Sequence, residues 1–432
     1  MDSVWSASCT LPRFPALKKD LQSDVLIIGG GMAGLLCAYK LNKAGIDAVL
    51  VEADRIGSGI TKNTTAKLTS QHGLLYHKLL RRFGPENARL YYDANEEALG
   101  AFRRLCGQID CDYSEQDSYV YSCGDQAKLE QEMAVLSSLG IPAELVTNTA
   151  LPFPTAGAVK FSKQAQFHPL KFLSAISGDL KIFERTTVRE LAPHIAVTDG
   201  GNIQAEKIII ATHFPMLNKH GFYFLKLYQH RSYVLALENA GAVGGMYVDE
   251  SDTGLSFRNY GDLLLLGGGG HRTGKHGGTW RELEAFAKRY YPDAKIRYRW
   301  ATQDCMSLDG VPYIGPYSRH TEELYVATGF NKWGMTSSMV ASHLLTDQIQ
   351  GKENPYTDLF SPSRSILRPQ LAVNGWEATV NLLTPTTKRC PHLGCALKWN
   401  PREHSWDCPC HGSRFAEDGK LIDGPATGDL PK

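Results

Sequence analysis

The stretch SDVLIIGGGMAGLLCAYKLNKAGIDAVLVEADRIGSG, Ser23 to Gly59, decides the fold. Val25 to Ile28 is a short, wholly apolar run ended by glycines, as expected of a strand buried on both faces. From Met32 to Lys43 the pattern switches to helical period, with Leu35, Leu36, Tyr39 and Leu41 on related faces. A second apolar run, Ala48 to Val51, ends in Glu52. This order of strand, helix and strand opens a doubly wound α/β sheet. Between the first strand and the helix, Gly29, Gly31 and Gly34 form G-x-G-x-x-G. The first glycine permits a tight turn, the second lets backbone approach a pyrophosphate, and the third lets helix pack close to strand. Glu52 stands where a carboxylate accepts hydrogen bonds from an adenosine ribose, which disfavours a 2′-phosphate and hence NADP. The fingerprint alone leaves FAD and NAD open.

A chain of 432 residues predicts two or three domains. Hydrophobic content of 43%, charged content of 21% and a net charge of +1 are those of an ordinary globular protein. They argue against nucleic acid or an acidic membrane surface as the main partner. No apolar run approaches the roughly 18 residues of a membrane span, and the N-terminus lacks the charged start and apolar core of a signal peptide. A cytoplasmic location is therefore expected. Residues 1–22 read as an N-terminal arm. Residues from about 75 to 139 read as mostly helical, and LKIFERTTVREL, AVTDGGNIQAEKIIIAT, LYQHRSYVLAL and GLSFRNYGDLLLLGGGG as strands with tight turns. MTSSMVASHLLTDQIQG reads as a helix capped by Gly351, and the proline-containing polar segment after it, 361–375, as a linker.

Several segments carry a family resemblance. VEADRIGSGITKNTTAKLTSQHG, KIIIAT (Lys207 to Thr212), LDGVPYIGPY and LYVATGFNKWGMTSSMVA are similar to stretches of the FAD-dependent family that includes D-amino-acid oxidase, glycine oxidase and sarcosine oxidase. His213 stands where that family has a glycine. The resemblance spans about 23 to 360 and implies FAD as cofactor, with Gly29, Gly31, Gly34, Glu52, Ser58, Thr212, Gly334 and Met335 as contacts. It implies an FAD-binding part at about 23–75, 155–215 and 300–360, and an interleaved α+β substrate domain at about 76–154 and 216–299. The helix after Gly334 would present its positive N-terminus to the flavin. Substrate-side candidates on the strands expected to cover the flavin are Tyr228, His230, Arg231, Arg258 and His271, with Lys332 and Trp333 in the turn. Arg258 has the chemistry to clamp a carboxylate; for each of these residues an ordinary core or ion-pair role is the alternative. Lys67 is placed near the pyrophosphate or flavin edge by the same resemblance. His72 and Cys305 are the candidates for covalent flavin attachment.

The tail raises a second chemistry. CPHLGCALKWNPREHSWDCPCHGSRF, Cys390 to Phe415, holds four of the ten cysteines and three of the fourteen histidines. Cys390-x-His392 and Cys408-x-x-His411 supply two thiolates and two imidazoles on two short loops. That spacing suits a Cys₂His₂ zinc site or a two-iron cluster. CPHLGC and CPCHGS resemble both boxes of the Rieske family, which implies a [2Fe-2S] cluster on Cys390, His392, Cys408 and His411. The same resemblance implies a Cys395–Cys410 disulfide and a covering proline loop at Gly424 to Ala426. His404 falls outside the ligand pattern. Only 29 residues separate Phe360 from Cys390, so residues 376–432 are expected to form a reduced, all-β cluster-binding domain too small to stand alone and docked on the flavin domain.

Together these readings predict an FAD-dependent oxidoreductase that dehydrogenates an amine or amino acid at a C–N bond. Electrons would pass singly from flavin to the Rieske cluster and on to an external acceptor, a protein or a quinone. A cluster potential of roughly −150 to +300 mV favours that direction. The alternatives are a reductase or oxygenase in which the cluster feeds the flavin, and a non-enzymatic electron carrier or redox sensor. Oligomerisation is left open.

Overall fold

The computed structural model describes residues 2–217, 220–251 and 254–431. Its first sheet runs in the order Tyr313–Ser318, Thr321–Thr328, Gly201–Ile210, Leu21–Ile28, Ala48–Val51 and Lys181–Phe183. The four central and terminal pairings after the first hairpin are parallel, with Leu26 opposite both Ile208 and Val49. Strand alternation divides the apolar run between two cores. Val25 and Ile27 face the helices Met32–Lys43 and Gly334–Ile349, while Leu26 and Ile28 face a second cluster with Phe214, Tyr223 and Tyr313. Both faces are dry, which is why the run contains no polar residue.

The second sheet is ordered Lys295–Ser307, Leu227–Glu238, Leu263–Arg272, Ser256–Tyr260, Met246–Asp249, Ser114–Ser122, Gly157–Gln166 and Lys67–Leu68. Residues 75–139 are mostly helical as expected, in Tyr76–Cys106 and Gln126–Ser138, with the strand Ser114–Ser122 between them, whose Tyr and Val residues favour extended backbone. Two expectations are corrected here. Gly157–Gln166 and Lys295–Ser307, expected in the FAD-binding part, pair into this second sheet. The presumed linker contains the start of a helix, Pro369–Leu383, with Pro369 in its first turn. Proline there starts the helix because its missing N–H would have had no partner. The N-terminal arm is packed: Trp5 is fully buried and its indole N–H donates to the Thr64 carbonyl at 2.7 Å.

The tail forms a four-stranded antiparallel meander, Lys398–Asn400, Ser405–Asp407, Arg414–Ala416 and Leu421–Asp423. Its core consists of Cys390, Cys395, Leu397, Cys408, Cys410, Phe415 and Ala426. Such a core is too small for an independent domain; the lobe rests on the second sheet instead, through Gln229 and Gln303. Among the described residues no helix is long and apolar enough to cross a membrane.

Candidate active site and cluster site

At the glycine turn, the backbone leaves no room for side chains. A Cβ on Gly34 would lie 1.9 Å from the Gly29 carbonyl oxygen, and one on Gly29 would lie 2.6 Å from the Ala211 oxygen. Gly31 is different, since a Cβ there would meet only the Thr61 hydroxyl at 3.5 Å. It caps the helix Met32–Lys43 without a side-chain bond, and among the described residues only Met32 N–H of the first turn is taken, by Thr61 Oγ1 at 3.1 Å. The remaining first-turn N–H groups fit an anionic ligand. Glu52 accepts from Gly30 N–H at 2.7 Å and Asp54 N–H at 2.9 Å. Burial raises its pKa against those stabilising hydrogen bonds. Ser58 lies in the turn before the short helix Ile60–Asn63, and Thr212 Oγ1 donates to the Phe214 carbonyl at 3.0 Å. Met335 is buried in the first turn of Gly334–Ile349. These residues fit a dinucleotide, with glycine imposed by backbone contacts at Gly29 and Gly34.

Beyond the cradle, Ala66 takes a left-handed φ of 55° and delivers Lys67 into the second sheet. Lys67 is buried, and burial, reinforced by Arg258, brings its pKa down to about 7. Arg258 is fully buried without a carboxylate partner among the described residues. Its Nη1 donates to the Thr65 and Ala66 carbonyls at 2.9 and 2.8 Å, and Nη2 has no hydrogen-bond partner. Nε donates to the Asn259 carbonyl at 3.3 Å and the guanidinium lies over the Trp5 ring, so among the described residues Nη2 alone lacks a partner. A buried cation of this kind is stable only with a counter-charge or full hydrogen bonding. His72 stacks on Trp333 at 4.8 Å, donates from Nε2 to the Thr69 carbonyl and accepts at Nδ1 from the Tyr91 hydroxyl. Both nitrogens are therefore committed. Cys305 is buried against Thr328, and burial pushes its thiol up to about 12.

Strand alternation sorts the substrate-side candidates. Tyr228 and His230 share one face of Leu227–Glu238; Gln229, Arg231 and Tyr233 share the other. His230 lies in register with Arg272 on one neighbouring strand and Asp304 on the other. Burial first, then Lys332, lowers the His230 pKa to about 3. Asp304 was not singled out by the sequence. Burial raises its pKa to about 6 despite Lys332 and Arg231, and only strand register brings it beside His230. Lys332 follows Asn331 through two left-handed residues, φ 52° and 72°. Asn331 holds the turn by accepting from Ser307 N–H at 2.8 Å and donating to the Gly329 carbonyl at 2.6 Å.

Arg231 and His271 are corrected. Arg231 pairs with Glu403 of the tail, and His271 Nε2 lies 3.0 Å from the Tyr233 hydroxyl, which donates to Glu403 at 2.9 Å. They belong to the docking interface because Arg231 points away from Tyr228 and His230, and His271 lies in register with it on the neighbouring strand. Around them, Gln229 Nε2 donates to the His411 carbonyl at 3.0 Å and Gln303 Nε2 to the Gly412 carbonyl at 2.9 Å. Arg272 Nε donates to the Pro409 carbonyl at 3.1 Å.

In the tail, Cys390 and Cys408 sit thiol to thiol. Hydrogen bonding from Cys408 lowers the Cys390 pKa to about 7, while the same bond raises that of Cys408. The His392 and His411 rings lie 4.9 Å apart. His411 Nε2 is 3.0 Å from the Phe224 carbonyl, which can only accept. Nε2 therefore carries the proton, and the buried Nδ1, with no hydrogen-bond partner, keeps a free lone pair. That tautomer fits a metal ligand. Cys395 and Cys410 form a disulfide with Cα atoms 6.7 Å apart. The sulfurs of Cys395, Cys408 and Cys410 also crowd within 4.8 Å, but a disulfide offers no thiolate, so Cys390 and Cys408 are the available sulfur ligands. The two cradles nearly meet: Phe214 packs on His392 and His411 at 6.2 and 6.0 Å, three residues after the Ala211 carbonyl that abuts Gly29.

Comparison with known proteins agrees with this geometry. Residues 24–348 match the FAD dependent oxidoreductase family, and residues 376–432 match the Rieske [2Fe-2S] domain. The chain is 36% identical to the putative Rieske 2Fe-2S iron-sulfur protein YhfW of Bacillus subtilis, over 98% of this chain and 96% of that protein. It is 24% identical to gamma-glutamylputrescine oxidoreductase of Escherichia coli, over 78% and 86% of the two chains. Glycine oxidase from Geobacillus kaustophilus superposes with a TM-score of 0.68 at 20% identity, covering 80% of this chain and all of that one. The backbone-enforced glycine cradle and the paired Cys-His loops thus have one explanation, and the chain belongs to the FAD dependent oxidoreductase family, with a Rieske [2Fe-2S] domain at its C-terminal end.

Proposed function

We propose that the protein oxidises an amine or amino acid at a C–N bond and that the electrons leave singly through the Rieske domain to an external acceptor. When bound, FAD supplies two-electron oxidation and the cluster one-electron transfer. The observation that carries the reading is the segment Ala211 to Phe214. Its three Cα steps span at most about 11 Å, joining the glycine cradle to the ring that packs on both histidines. A carrier or sensor would not need the two buried charged groups of the second sheet, Lys67 beside Arg258 and His230 beside Asp304 and Lys332.

In this reading the N-terminus of Met32–Lys43 and Glu52 hold the dinucleotide, with Ser58, Thr212, Gly334 and Met335 alongside. Cys390, His392, Cys408 and His411 hold the cluster, and the Cys395–Cys410 disulfide keeps their loops together. Arg258 binds a substrate carboxylate through Nη2. His230 stays neutral at pH 7, with Lys332 and Asp304 setting its surroundings. Tyr228 and Lys332 line the same face.

Anaerobic titration of purified protein with a panel of amines and amino acids tests this. Absorbance follows the flavin and electron paramagnetic resonance the cluster. Substrate-driven flavin bleaching with a growing cluster signal is the expected result. Bleaching without cluster reduction removes the relay. Reduction by NADH and by no amine reverses the direction, with the cluster feeding the flavin.

A further inference from the structure

Helix Pro369–Leu383 is inside out. Its polar residues face the protein. Asn374 is buried, accepts from Arg272 at 3.0 Å and donates to the Leu225 carbonyl at 3.3 Å; Asn381 is buried and its carbonyl accepts from Ala396 N–H at 2.9 Å. Glu377, on the same side, pairs with Lys275 at 2.8 Å. The apolar residues face outward: Val373, Trp376, Val380 and Leu383 follow one another at helical spacing and are 49%, 69%, 41% and 77% exposed. Seven of the thirteen large apolar side chains exposed among the described residues lie between Leu367 and Leu393. A concentration of that kind marks a surface that is covered in use.

The surrounding charge identifies the cover. Residues 361–400 hold five Lys and Arg against the single acid Glu377, and among the described residues only Arg364 of the five is spent in an ion pair, with the buried Asp309. Lys388, Arg389 and Lys398 make no ion pair among the described residues, and Arg389 sits at the helix end, donating to the Leu382 and Thr384 carbonyls at 3.2 and 3.1 Å. An apolar helix face with a tryptophan, flanked by unpaired cations, matches the interface of an anionic bilayer. A second copy fits poorly, since a two-fold contact would set the same cations against themselves.

We infer that this face docks the protein on anionic lipid, with Trp376 at headgroup depth. Leu393, 39% exposed, follows His392, and the next residue, Gly394, lies against Leu382 of the helix, with a Cβ there 3.9 Å from Leu382 Cδ2. Docking therefore brings the loop that carries His392 near the bilayer, where lipid-soluble carriers of the quinone class dissolve. The inference stands on the helix face and its charges, and holds for either direction of electron flow.

The test is co-sedimentation of the holoprotein with vesicles of phosphatidylcholine alone or mixed with phosphatidylglycerol, across a salt series. Binding to the mixed vesicles that weakens with salt is expected. W376S/V380S should bind at least about tenfold more weakly, and K388Q/K398Q about 30-fold more weakly. Both should retain wild-type flavin and cluster absorbance and thermal unfolding. Failure of the wild-type protein to bind mixed vesicles at low salt overturns the inference, as does binding that ignores both double substitutions. A wild-type dimer in analytical ultracentrifugation, dissociated by W376S/V380S, also overturns it and assigns the face to a second copy.

Discussion

The flavin body and the cluster lobe solve the same problem, holding a redox group still, by opposite means. The body builds its cradle from backbone. At Gly29 and Gly34 no other residue fits, and the strands on either side are buried in large apolar cores. The lobe has a core of only a few residues and is held from outside, by Gln229, Gln303, Arg272 and the Arg231–Glu403 pair. Its internal order depends on charge as well: Arg414 is buried among Glu403, Asp407 and Asp423. A large domain can make a ligand site from packing alone, whereas a small one depends on covalent links, metal and a neighbour's surface.

Substitutions in the two regions should therefore fail differently. Gly34→Ala has the largest expected effect. With a Cβ 1.9 Å from the Gly29 oxygen, helix and strand must separate, and the purified protein should lack flavin absorbance while any folded lobe keeps its cluster signal. Arg231→Leu comes next. It leaves Glu403 buried with Arg414 as its one remaining cationic partner among the described residues, at a cost of about 3 kcal/mol. Limited proteolysis should then release the lobe while flavin content stays at the wild-type level. If the lobe remained protected, the ion pair would not be what holds it.

Acid sharpens the comparison. His72 and His168 are buried and neutral in the body, their pKa values lowered chiefly by burial to about 3 and about 4. His168 accepts from Lys171 N–H at Nδ1 and caps the helix Pro169–Ile176. Because the unfolded histidines bind protons first, their contribution is complete above about pH 6.5. Each then loses about 1.4 kcal/mol per pH unit below that until the folded pKa is reached. Glu403 behaves differently. Burial raises its pKa, but Arg231 and Arg414 outweigh that and the net shift is downward. Its contribution persists until pH falls below about 4.3, the unfolded value. Flavin release on acidification should thus precede loss of the lobe's ion network, measured by flavin fluorescence and protease protection. The smallest effect expected is that of Gln303→Leu. It removes one donor to the Gly412 carbonyl and should cost about 1–2 kcal/mol, read as a lower midpoint for lobe release with unchanged flavin unfolding.

Much of this was legible in the chain. The G-x-G-x-x-G turn and Glu52 lie within one strand–helix–strand unit, where spacing alone places groups. The cysteines and histidines of the tail lie on two short loops, where the same holds. The substrate side was read less well. Arg231 and His271 were grouped with His230, although a strand sends neighbouring residues to opposite faces, and only the pairing partners show which face meets which cofactor. Asp304 carried no local signal. The helix after Pro369 was hidden because its apolar residues face out and its asparagines face in, the reverse of the usual pattern.

What the sequence determined by itself was chemistry held in contiguous segments: the dinucleotide turn, the acidic ribose partner and the two ligand loops, because short-range steric and spacing rules govern them. What tertiary structure alone decided was everything set by meetings of distant segments. The lobe sits where Phe214 reaches both histidines, His411 is given its tautomer by the Phe224 carbonyl, and an arginine of the body is paired with a glutamate of the tail. Each of these depends on which surfaces pack together, and packing is a property of the whole chain.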